Sequence, residues 1–359
     1  MFTTPARPVD ILTVLPELAV YAKNATRLHP RRGVPESAAS SVAGPMLWPA
    51  GEPWPTCQLP HMVQIDREAT AEELAMFRHS DEVREQRFAQ MISQFPDQVA
   101  DPDSPLGRML AKRQDFLNAA GARAPRGTIV KTWAPATPNE PVVMVPVVQL
   151  HAADIPEARF PAGTDLVQIL WCPYRHPDVP GMHEHYSGPA PKVIWRAAGS
   201  LTDTTFPARG ALADGGCVLE PCVLNPERII EYPDIEDLPE SLQSRIYAWQ
   251  ESLGEGPGYD YRNDLSVAPG LKAGGWPYWP HCPRPVQCSC GSEMSLLLTM
   301  PHGERGAQSW TPLEDQFRAA KRGYDAEFHD PTGFSGARDE LLIFVCRQDP
   351  LHDVWVSIE

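Results

Sequence analysis

Four stretches of the chain are almost continuously apolar: VVMVPVVQL (142–150), DLVQILWC (165–172), MSLLLTM (294–300) and ELLIFVC (340–346). Runs of this length, bounded by turn-forming residues, predict buried strands. Elsewhere the apolar positions recur at helical spacing. TAEELAMFRHSDEVREQRFAQMISQF opens with a Thr70–Glu73 capping box and brings Leu74, Phe77, Phe88, Met91, Ile92 and Phe95 near one face. SPLGRMLAKRQDFLNAAG offers Ser104 as N-cap, Pro105 at the first helical position and Gly121 as a stop. Together these two predict a helical hairpin. EDLPESLQSRIYAWQESLG aligns Leu242, Ile246, Trp249 and Leu253 ahead of Gly254, a helix expected to pack on a sheet. TPLEDQFRAAKRG repeats that logic with Thr311, Pro312, Glu314 and Gly323. Helices and strands mix without regular alternation, so the fold class is α+β rather than a doubly wound sheet.

The order of parts repeats. GPMLWPAGEPWPTC (44–57) and GGWPYWPHCPRPVQCSC (274–290) both run from glycine through alternating proline and tryptophan to cysteine. Each is followed by an apolar strand, a spacer, and a second strand ending in cysteine with His and Asp soon after: DLVQILWCPYRHPD (165–178) and ELLIFVCRQDPLHD (340–353). We read a tandem duplication: two similar sheet-containing halves packed together, 1–200 and 201–359, with a helical insertion at about 66–125 in the first.

Composition narrows the partners. The 359 residues carry a formal charge of −15, which disfavours nucleic acid, where affinity comes largely from neutralising phosphates. A protein partner, possibly basic, suits this charge better. The 40 prolines are spread along the chain and imply many rigid connections within a fold. MFTTPARPVDILTVLPELAVYAKNATRLHPRRG has no basic leader before an apolar core, and no apolar run reaches the roughly 18 residues of a membrane helix. The expected location is the cytoplasm, with no membrane contact. There the 8 cysteines would be reduced thiols or metal ligands rather than disulfides.

Cys288 and Cys290 form a close pair on a loop stiffened by Pro277, Pro280, Pro283 and Pro285 and entered through Gly274–Gly275. Cys346 and His352, at the edge of a predicted strand, supply a second pair. A zinc site takes such a set, two ligands from a rigid loop and two from elsewhere. The predicted metal ligands are therefore Cys288, Cys290, Cys346 and His352, with structural Zn2+ as the cofactor and Cys282 as reserve. The first half offers Cys57, Cys172 and His176, with His183 and His185 nearby, too few in its loop to predict a four-ligand site. Cys217 and Cys222 are better explained by packing. Trp48, Trp54, Trp276 and Trp279 read either as plugs sealing each sheet or as an exposed platform for a partner; the plug is preferred.

LKAGGWPYWPHCPRPVQCSCGSEMSLLLTM followed by ELLIFVCRQDPLHDVWVS resembles the YwqG-like family of uncharacterised bacterial proteins, which joins a Gly-Gly-x-Pro-x-Trp loop, a cysteine pair before Gly-x-x-Met, an apolar strand and a later strand ending in cysteine. The likeness covers 271–359, and a weaker version covers much of 44–172. It implies a cytosolic α+β protein with internal duplication and no established catalytic activity. The chain departs from the pattern in its 66–125 insertion and in C-x-C where the family has a wider spacing.

Motifs for other chemistry are missing. There is no GxxxxGK[ST], GEGPGY (254–259) is too short for a dinucleotide fingerprint, and the HEH of 183–185 lies among Gly and Pro rather than on a helix. GFSGA (333–337) precedes a strand, the wrong side for a nucleophile elbow. The expected function is a non-catalytic protein-binding module, possibly neutralising a toxin or regulating a partner. The alternative is an enzyme with its site in the cleft between the halves, with His151, Asp154, His176 and Asp178 as first suspects.

Overall fold

The computed structural model describes residues 2–358 apart from 121–128, 137–139, 178–186, 202, 206–216, 255, 257, 280–284, 304–307, 322, 324 and 336–339. The predicted Gly121 stop, His183, His185, Asp178 and the reserve ligand Cys282 lie outside the described residues. Helices and antiparallel sheets are both present, which makes the fold α+β. The chain divides into two compact units, one of Met1–His61 with Thr137–Glu359, the other of Met62–Ala136.

The larger unit contains two six-stranded sheets. Sheet I runs, edge to edge, Pro191–Arg196, Leu166–Trp171, Val145–His151, Ser41–Val42, Cys222–Val223, Arg31–Arg32. Sheet II runs Trp355–Ile358, Glu340–Cys346, Met294–Pro301, Lys272–Gly274, Lys23–Arg27, Glu227–Glu231. All four predicted apolar strands form, and each pair is central to its sheet: 145–151 beside 166–171, and 294–301 beside 340–346. Burial on both faces explains their unbroken apolar character. One hydrophobic cluster spans the two sheets, with Val145, Ile169 and Trp171 of sheet I and Leu297, Ile343 and Val356 of sheet II among its members. Cys222 and Cys217 are buried in it, as packing residues.

The expected boundary at 200/201 is crossed in both directions. Lys23–Arg27 pairs with Glu227–Glu231 and Lys272–Gly274 in sheet II, while Cys222–Val223 pairs with Ser41–Val42 and Arg31–Arg32 in sheet I. The crossings are made by Leu28-His29-Pro30 and Leu224-Asn225-Pro226, which touch: Asn225 N donates to Leu28 O at 2.8 Å.

The helix Glu240–Ser252 ends at Gly254, whose φ of +64° suits glycine. Its buried Leu242 and Ile246 meet Ile11, Leu15, Leu18, Ile235, Leu238, Tyr261 and Leu265. The expectation that it packs on a sheet is thus corrected: its partners come from short helices and turns at the N-terminus and around 235–265. The segment opened by Pro312 is also shorter than predicted, a 3-10 turn Leu313–Asp315 and then Gln316–Ala319.

In the smaller unit, Ala71–Ser93 starts at the predicted box: Glu73 N donates to Thr70 Oγ1 at 3.2 Å and Thr70 N to Glu73 Oε2 at 2.8 Å. Pro105–Ala120 starts at Ser104, whose Oγ accepts from Gly107 N at 2.8 Å. A plain helical hairpin does not describe the segment. Between the helices lies Pro96–Ala100, and they are flanked by an antiparallel ribbon, Met62–Glu68 against Ile129–Pro135. That ribbon alternates exposure along 129–135, a period-two pattern short enough to be hidden beside a long helix.

Candidate metal centre

The loop before Met294–Pro301 is placed by its glycines. Gly274 and Gly275 have φ of +70° and +74°, and a side chain on Gly275 would overlap the Glu231 carboxylate and Ala25. That carboxylate is fully buried and accepts from Lys272 Nζ at 2.7 and 3.0 Å, from Trp276 N at 2.8 Å and from Ala268 N at 2.9 Å. Lys272 Nζ also donates to Trp276 O at 2.7 Å. The loop then carries Trp279 into the core, 2% exposed, stacked on Phe344 at 6.0 Å between centroids. Trp48 is equally buried and packs on Trp54 at 4.6 Å. Trp48 and Trp279 are plugs, the use preferred from sequence.

Beyond Trp279 the chain turns back at an antiparallel bridge between Gln287 and Glu293. Inside this turn Cys288 N donates to Ser292 O at 2.9 Å, Gly291 N donates to Cys288 O at 2.8 Å, and Gly291 takes φ +83°. Cys346 ends the neighbouring strand directly opposite Met294, so the turn overhangs it. His352 follows on a turn in which its N donates to Asp349 O at 3.1 Å. All four predicted ligands therefore converge, with their ligand atoms within 4.8 Å of one another.

The distances suit a tetrahedral ion. Bonds of about 2.3 Å to sulfur and about 2.0–2.1 Å to imidazole nitrogen give tetrahedron edges of about 3.8 Å between sulfurs and about 3.6 Å from sulfur to nitrogen. Cys290 Sγ lies 3.6 Å from Cys346 Sγ, and Cys288 Sγ lies 3.5 Å from His352 Nδ1. The two sulfurs are too far apart for a disulfide. Asp349 Oδ2, 4.0 Å from His352 Nε2, is placed to orient the ring.

Backbone amides favour thiolates here. The N–H groups of Asp349 and Gln348 point at Cys346 Sγ and hold its pKa down to about 6, against the opposing effect of burial and with help from His352 and Cys290. Cys290 N–H does the same for Cys288, lowering it. Cys290 has the Ser292 N–H pulling it down, but burial and the neighbouring Cys288 and Cys346 win, and its pKa rises. His352 is raised by its bonds to Cys346 and Cys288. These are thiols whose protons an ion would displace, in a turn of N–H donors that stabilises negative sulfur.

A second convergence occurs in the first half, where Cys57, His61, Cys172 and His176 also place their ligand atoms within 4.8 Å of one another. Cys57 ends the short strand Thr56–Cys57, paired with Val142–Val143, and Cys172 follows Leu166–Trp171. His176 Nε2 is 3.8 Å from Cys57 Sγ, and its Nδ1 lies 2.8 Å from Pro60 O, which fixes the ring as an Nε2 ligand. Cys57 is pulled down to about 4, chiefly by its bond to Cys172 and then by His176; Cys172 is pushed up by the same contact and by burial. The expectation that the first half lacks a fourth ligand is corrected by His61. Its signal was available: Cys57-x-x-x-His61 has the spacing of Cys172-x-x-x-His176.

The suspects for catalysis do not assemble. His176 faces Cys57, whereas Asp154 Oδ2 accepts from Ser40 Oγ at 2.6 Å, and Ser40 Oγ accepts from His151 N at 2.9 Å, bracing a turn. Soft donors in these two clusters could hold a metal ion. No helix among the described residues is long and apolar enough to cross a membrane. No protein-family model matches the chain, and no curated protein matches it.

Proposed function

We propose that the protein is a non-catalytic binding protein whose second half is locked by a structural zinc ion on Cys288, Cys290, Cys346 and His352. The observation that carries this is the convergence of three sulfurs and one imidazole, separated by 64 positions between Cys288 and His352, at tetrahedral-edge distances. Four protein ligands close the coordination sphere and leave no position for substrate, so the ion would serve the fold. Kinship with YwqG-like proteins, resting on 271–359, belongs to this proposal, as does a reducing cytoplasmic setting that keeps the thiols free for metal.

The binding role rests on surface character. The net charge is −15, and Met76, Phe77, Met91 and Phe95 of the smaller unit are 64%, 39%, 40% and 46% exposed. An acidic molecule presenting apolar side chains suits a basic protein partner, such as a toxin to be neutralised or an enzyme to be regulated.

The test is Cys290→Ser. Cys290 is exposed, so losing its sulfur removes a ligand without opening a cavity. The variant should lose one zinc per chain and unfold at lower temperature, and added zinc should not restore it. Equal zinc content in variant and parent would refute the site. For the partner, co-purification of a stoichiometric basic protein whose binding is lost in Met76→Glu/Phe77→Glu is the expected outcome, and binding unaffected by that change would contradict the surface.

A further inference from the structure

We infer that Cys57, His61, Cys172 and His176 form a second zinc centre, built at the position of sheet I that corresponds to the 288/290/346/352 centre of sheet II; this rests on the zinc reading of the latter. Its first support is register. In sheet I Leu170 pairs with Pro146 and Trp171 with Val145, after a bulge between Ile169 and Leu170 that leaves Val147 unmatched. In sheet II Phe344 pairs with Leu296 and Val345 with Ser295, after a bulge that leaves Leu297 unmatched. Superposing the bulges puts Cys172 on Cys346 and Met144 on Met294.

The correspondence continues into the third strand and the loop. Val42 pairs with Val148 and Ala273 with Leu298, which sets Ala43 on Gly274, both at positive φ (48° and 70°). Counting on from there, Trp48 falls on Trp279 and Cys57 on Cys288. The pairing of Thr56 with Val143 likewise falls on the bridge of Gln287 with Glu293. Two of the four ligands are therefore supplied by identical places in two sheets.

The other two ligands differ in kind and spacing. His61 stands where the second half uses Cys290, and His176 follows its cysteine more closely than His352 does. Donor atoms converge in both places although the residues supplying two of them have changed. Packing does not ask for that outcome, since small apolar residues would fill either space; a shared ion does. Burial adds to the case. Cys57, His61, Cys172 and His176 are 5%, 2%, 0% and 0% exposed, and the thiols lie in a cluster of Met46, Trp48, Met144, Leu170 and Ala190. An ion bonded to all four would neutralise their charge and saturate their lone pairs in an apolar setting. His61 is also the last residue of the larger unit before the chain enters Met62–Ala136, so the bond would clamp the chain where it departs.

The experiment is zinc content per chain of full-length protein purified without added metal. Two zinc ions are expected in the parent, one in His61→Ala, one in Cys290→Ser and none in the double variant. His61→Cys, which keeps a ligand, should restore two. Cobalt exchanged into Cys290→Ser should then give the weaker thiolate-to-metal absorption of a two-sulfur centre. A His61→Ala chain that remains folded with the parent's zinc content would overturn the second centre. Loss of one zinc in His61→Ala with none lost in Cys290→Ser would instead overturn the first centre and leave the second standing.

Discussion

At the residue scale, the strongest constraints lie on polar groups that the fold has taken out of water. Lys272 and Glu231 are both fully buried and make five hydrogen bonds between them and the 268–276 loop. Removing one member leaves the other charged and alone, so Lys272→Met should cost about 3–5 kcal/mol in chemical denaturation, with much of that recovered in Lys272→Met/Glu231→Leu. Asp237 is a different case. Burial first, then the neighbouring charges of Asp234 and Glu236, raise its carboxyl from 3.8 to about 7, against the pull of Lys23. Because folding raises this pKa, the folded state holds the proton more tightly. The cost of ionising it appears as pH climbs above about 4 and is complete above about 7. Asp237→Asn should therefore stabilise the protein by about 1 kcal/mol at pH 8 and leave it nearly unchanged at pH 4; equal effects at both pH values would contradict the assignment. None of this was visible in the sequence, where EYPDIEDLPE reads as a solvated approach to a helix. Which carboxylate is buried depends on strands more than 30 residues away, as with Glu231 and Lys272, 41 positions apart.

At the element scale, local signals were legible where they were strong and self-contained. Apolar strand runs, the Thr70–Glu73 box and the Ser104 cap all act over a few residues, and each formed as read. Thr70→Ala should lower the stability of the Met62–Ala136 unit by about 1 kcal/mol, measurable as faster amide exchange in 70–75. What the sequence did not disclose is partner choice. The face of Glu240–Ser252 was clear, yet what it packs against was set by the 3-10 and helical turns of residues 11–21. Lys23–Arg27 and Cys222–Val223 gave too few residues for a strand signal, and their exchange between sheets follows from pairing far along the chain. The ligand pair Cys346 and His352 could be found because each flanks a strong strand. His61 escaped because it stands in a proline-bounded loop, and only the repeated C-x-x-x-H spacing marks it.

At the scale of the whole molecule, two sheets with the same strand order and the same bulge carry a cluster of four soft donors apiece at the same place. With one core spanning both sheets, metal removal should act on the larger unit as a whole. Chelation is expected to lower its unfolding temperature while the far-UV helix signal of 71–93 persists below that transition. The central claim is that an ion joins the 288–290 turn to the end of the 340–346 strand. It is tested most directly by anomalous diffraction at the zinc edge on crystals of protein purified without added metal. The account predicts a peak about 2.3 Å from the sulfurs of Cys288, Cys290 and Cys346 and about 2.0 Å from His352 Nδ1. A map with no peak there, or with Cys290 and Cys346 joined as a disulfide, would contradict it.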